Sequence, residues 1–154
     1  MLRFTALAVL LAASTTFAQT RTVAPAQTKP AAPAAVPAAL KPLQGTWILT
    51  TPDGQPMAQS GDLTIEVTGD KYAQAVAGAV NERGSIKLDA TKTPTWIDLT
   101  ITEGDDAGKV QLGLIEITGG VMKGVLAQPG STTRPASLAP AEGVISFAGK
   151  KKPA

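Results

Sequence analysis

The chain has no cysteine and no histidine among its 154 residues. The first absence excludes a disulfide framework and thiol catalysis. The two together exclude a Cys/His zinc site and any triad or proton shuttle built on imidazole. Aromatic residues make up only 4% of the chain and charged residues 17%. The aromatics are scattered and the basic residues do not cluster beside them, which argues against nucleic-acid binding. The formal charge of +2 and pI near 9.0 owe much to Lys150, Lys151 and Lys152, which read as a basic tail rather than a binding face.

What is present falls into segments. Met1-Leu2-Arg3 is a short positive start, and Phe4 to Ala13 (FTALAVLLAA) is apolar and uncharged. Thr16 and Ala18 then supply small residues at a cleavage position between Ala18 and Gln19. This is the layout of a secretory signal peptide, 1–18, because a spanning helix needs about 20 apolar residues. With no cysteine after the apolar run, a lipid anchor on cysteine is impossible. Residues 19–42 hold eight alanines and five prolines in 24 residues. Each proline removes an amide donor and disfavours helix before it, so a disordered, extended linker is expected, reaching about 70 Å when fully stretched.

From Leu43 the texture changes to short β-branched runs separated by Gly, Asp, Asn and Pro. Strands are expected at Thr46–Thr51, Leu63–Thr68, Tyr72–Val76, Ser85–Asp89, Trp96–Thr102, Lys109–Ile117, Val121–Ala127 and Val144–Ala148. Leu63, Ile65 and Val67 alternate with Thr64, Glu66 and Thr68; Ile97, Leu99 and Ile101 alternate with Trp96, Asp98 and Thr100. A period of two means one buried and one wet face, the antiparallel pattern. Gly69-Asp70, Gly104-Asp105-Asp106 and Gly119-Gly120 fit hairpin turns. In the sixth strand the apolar pattern slips from Leu114 to Ile115, which predicts a β-bulge. The alanine-rich third segment fits a helical turn as well as a strand. No amphipathic helix is present to cover a sheet, so the strands must close or sandwich. The 108 residues from Leu43 to Lys150 suit an all-β fold, a small antiparallel eight-stranded barrel at 43–150 with a basic tail at 151–154.

An ordered set of motifs runs through this span: Leu43-Gln44-Gly45-Thr46-Trp47, Gly84-Ser85-Ile86-Lys87-Leu88-Asp89, Pro94-Thr95-Trp96-Ile97-Asp98-Leu99, Gly113-Leu114-Ile115-Glu116-Ile117 and Arg134-Pro135. The set resembles a family of bacterial lipocalin-like domains, abundant in planctomycetes, that reads LQGTW, a strand ending in LD, P-x-x-IDL, a G-I-Y-E-like strand and RP. The chain departs from it in three places. Leu114-Ile115 stand where the family carries tyrosine, Val121–Ala127 lacks the family's frequent cysteine, and Lys150 or Lys151 replaces the closing arginine. The resemblance implies a β-barrel and no settled activity. It also implies that Trp47, in the G-x-W of the first strand, plugs one barrel end, with Lys150 as the cation stacked on it.

Two readings stand for Trp96, Asp98 and Arg134. As a ligand-binding patch, they lie at the barrel mouth with Arg134 paired to Asp98. As an ordinary outward face, Asp98 is solvated and Arg134 is a rigid loop residue; the alternation favours this second reading. Glu103, Asp105 and Asp106 bracket Gly104 but lack the ordered oxygen set of a calcium loop, so no metal is expected. Gly119-Gly120 is not followed by a helix, which argues against a phosphate cradle. No cofactor and no enzymatic activity are expected. The sequence therefore predicts a periplasmic or secreted barrel that binds a small apolar or amphipathic molecule. The alternative is a protein-interaction or inhibitor module of the cell envelope, presented on the Pro/Ala arm.

Overall fold

The computed structural model describes residues 35–153. The segment 1–18 expected to be a signal peptide, most of the expected linker and Ala154 lie outside the described residues. Eight strands follow one another: β1 Gly45–Thr50, β2 Leu63–Thr68, β3 Lys71–Val76, β4 Ala79–Asp89, β5 Thr95–Glu103, β6 Val110–Thr118, β7 Val121–Ala127 and β8 Val144–Lys151. Each pairs antiparallel with the next, and β8 returns to β1 to close the barrel. Closure removes every sheet edge, which is how a chain without covering helices satisfies its backbone.

The alternation decides the interior. Trp47 and Leu49 of β1, Ile97 and Leu99 of β5, and Met122 and Phe147 of β7 and β8 belong to one buried cluster. Four inward glycines give the larger side chains room. A Cβ on Gly124 would stand 2.2 Å from the Phe147 ring, one on Gly84 2.6 Å from Tyr72, one on Gly113 2.4 Å from Leu126, and one on Gly149 2.7 Å from Met122. These side chains therefore lie flat against the wall opposite them.

Four expectations are corrected. The linker does not run to Pro42: Ala38–Leu43 form a 3-10 helix that buries Leu40 and Leu43 to 3% and 2% exposure. Gln44 ties this helix to the β2–β3 turn, donating from Nε2 to the Leu40 and Gly69 carbonyls and accepting from Gly69 N–H at 2.7 Å. At the other end β8 runs through Lys151, and Lys152 N–H donates to the Thr46 carbonyl, so the tail at 151–154 begins later than expected.

The β6 bulge is also absent, since β6 keeps register with both β5 and β7. Leu114 faces outward, paired with Trp96 and Val125, while Ile115 faces inward. Both are buried, Ile115 in the inner core cluster and Leu114 on an outer wall that is covered at this point. Register shifts occur instead at Gln74/Ala75 and Arg83/Gly84. The third segment is a strand, and β4 starts six residues earlier than expected, after a turn at Ala77 (φ 51°) and Gly78 (φ 84°). Two successive positive φ values are the type I′ requirement, here met with alanine at the first position.

Candidate functional site

The barrel ends differ. At one end lie the 3-10 helix, Trp47 and the β2–β3 turn. Trp47 is 1% exposed, and its Nε1–H donates to the Leu43 carbonyl at 2.7 Å, so the indole has its polar partner inside the plug. The cation over its ring is Lys151, with Nζ 5.8 Å from the centroid. This corrects Lys150. Trp47 is directly opposite Lys151, and Ile48 is opposite Lys150. Side chains opposite each other across a ladder share a face, so parity sends Lys150 outward and Lys151 toward the plug.

Inside is a cavity of about 330 Å³. Its walls are apolar, with Leu43, Val67, Ile86, Leu99, Ile115 and Phe147 among them, and Met57 of the β1–β2 loop also lines it. That loop is pinned by Thr51, whose Oγ1 donates to Asp53 and accepts from Gln55 N–H at 2.9 Å. The Thr51 hydrogen bond holds the Asp53 carboxyl below its usual range.

Polar groups converge in the half of the cavity away from Trp47. Tyr72, rooted near the plug, lies over Gly84, and its hydroxyl donates to Glu82 Oε1 at 2.8 Å. Burial, and then the adjacent Glu82 carboxylate, push the Tyr72 hydroxyl well above its ordinary value, so it remains a donor. Gln74 stands opposite Glu82 in the β3–β4 ladder and also lines the cavity. Gln111 is 6% exposed; its Nε2 donates to the Ala127 carbonyl at 2.9 Å. Asp106 reaches the cavity from the β5–β6 hairpin and is paired with Lys109 at 2.7 Å.

Trp96, Asp98 and Arg134 are together, but on the outer wall. Arg134 donates to the Ile97 and Gly113 carbonyls at 3.0 and 2.6 Å and to Asp98 Oδ1, and its guanidinium stacks 4.5 Å from the Trp96 centroid. Asp98 is therefore paired rather than solvated. Lys92 approaches the same ring at 5.1 Å. With its donors turned to the wall, Arg134 fastens the β7–β8 loop across β5 and β6. Beside it, Leu114 and Val125 are 2% and 1% exposed although they face outward. Among the hairpin acids, Glu103 pairs with Arg83 at 3.0 Å, and no group of acidic residues able to hold a metal occurs among the described residues.

Sequence reasoning missed Tyr72, Glu82 and Gln111. One signal was available: Tyr72 and Gln74 are two residues apart on one face of β3, and their β2 partners on that face, Val67 and Ile65, are apolar. Comparison with family models, curated proteins and solved structures finds no match to this chain.

Proposed function

We propose that the chain is exported and that its barrel is a non-enzymatic carrier, holding one small apolar or amphipathic molecule in the lumen. The observation that carries this reading is the apolar cavity of about 330 Å³, closed at one end by Trp47 and furnished with polar groups toward the other. Small-molecule sites commonly start near 300 Å³ and combine apolar walls with a few placed polar groups. Export rests on the Arg3, apolar-run and Ala18 arrangement of the sequence.

The test is calorimetric titration of the purified chain with octanol, an uncharged probe short enough for the lumen. Saturable binding at one molecule per chain is the expected result. Absence of saturable heat at two well-separated temperatures across the soluble range of octanol rejects the reading. The interaction-module alternative draws on one observation, the 40% exposure of Trp96 on the outer wall. Capture of an envelope protein that is lost in Trp96→Ala, with no octanol binding, would favour it.

A further inference from the structure

Resting on the lumen reading, we propose that the molecule held there is a small amine, with its ammonium against Glu82 and a short apolar body against the Ile and Leu walls. The inference comes from which polar groups face the cavity and how each is already engaged. No lysine or arginine lines it. Two carboxylates do, Glu82 and Asp106. The Asp106 charge is met by Lys109. Glu82 takes part in none of the ion pairs among the described residues. Its one partner is the neutral Tyr72 hydroxyl on Oε1. The Tyr72 bond orients the carboxylate without neutralising it and leaves Oε2 without a partner among the described residues.

A second observation points the same way. Gln111 is more than nine-tenths buried and lines the cavity, and its amide nitrogen is committed to Ala127. Its Oε1 has no partner among the described residues, and no buried side-chain polar atom there is sealed away without one. The free oxygen therefore opens on the cavity as an acceptor. A site with a free carboxylate oxygen, a free amide oxygen and no cation asks for a donor-rich, positively charged head. It disfavours a carboxylic acid, whose charge would repel Glu82 in a low-dielectric cavity. The size follows from the volume: at about 30 Å³ per non-hydrogen group, the cavity takes about eleven. A primary amine on a chain of about eight carbons fits this count.

The test compares octylamine, octanol and octanoate by calorimetry at neutral pH on the full chain. Octylamine is expected to bind at least about tenfold more tightly than octanoate, with octanol between them. In Glu82→Gln the octylamine-to-octanoate ratio is expected to fall to about one. Should that variant not fold, Gln74→Lys places a cation opposite Glu82 in the ladder and is expected to remove the same preference. Octanol binding without preference for the amine overturns the proposal and leaves the lumen reading standing. A preference that survives loss or neutralisation of Glu82 also overturns it. If none of the three probes binds, the lumen reading falls and the proposal falls with it.

Discussion

The hydroxyl of Tyr72 donates to Glu82 Oε1 over 2.8 Å, and this bond joins the floor of the lumen to its polar half. Tyr72 is the single tyrosine of the chain, so its ionisation can be followed without interference. Burial, then the Glu82 hydrogen bond and charge, raise its folded value above the ordinary 10.0. A group raised on folding contributes stability that is complete below its unfolded value and is lost as pH climbs above it. Phenolate absorbance is therefore expected to appear together with alkaline unfolding, above pH 10.0. A phenolate that forms near that pH in a still-folded barrel would contradict the buried hydrogen bond.

Trp47→Ala removes a plug that is 1% exposed and is expected to cost about 3–5 kcal/mol in urea unfolding. Trp96→Ala, on the outer wall, is expected to cost about 0.5–2 kcal/mol, the scale of its stacking with Arg134 and Lys92. Equal losses would contradict the assignment of the two faces.

Lys151→Ala and Lys150→Ala separate the two lysines. The first removes the cation over Trp47 and is expected to cost about 0.5–1 kcal/mol. The second changes an outward side chain and is expected to stay within about 0.5 kcal/mol of the parent. The reverse order in denaturant titrations would restore Lys150 as the stacking residue.

Leu40→Ala tests where the folded domain begins. A leucine in a disordered linker can be replaced at no cost, whereas a buried one is expected to cost about 2–5 kcal/mol. Thermal and urea melts of the single variant decide between them.

Arg134→Ala leaves Asp98 and two strand carbonyls without their donor. The expected loss is at least about 1–3 kcal/mol, with the octanol affinity retained because Arg134 is outside the lumen. A folded variant that no longer binds octanol would return Arg134 and Asp98 to the ligand site.

Much of the barrel was legible because alternation is a local property. Leu63-Thr64-Ile65 and Ile97-Asp98-Leu99 declare their faces within a few residues, and Gly119-Gly120 declares its turn. The missed features depend on distant chain. Leu40 carries no periodicity, and the surrounding prolines and alanines read as linker; its burial in the core cluster arises from the barrel end that the 3-10 helix caps. The slip at Leu114-Ile115 looks like a bulge when only one face of a strand is covered, whereas here the outward Leu114 is buried as well. Lys150 and Lys151 could have been told apart by counting parity from Phe147. The cavity was not readable, because inward Leu, Ile and Val describe a filled lumen equally well. Room is left where Gly84 and Gly124 let the rings of Tyr72 and Phe147 lie flat.

The carrier reading is tested most directly by methyl NMR spectra of the chain titrated with octanol. The account predicts saturable shifts at the lumen methyls of Ile86, Leu99 and Ile115, with the outward methyls of Leu112 and Val121 unmoved. Shifts confined to the outward set, or none at saturating octanol, would contradict it.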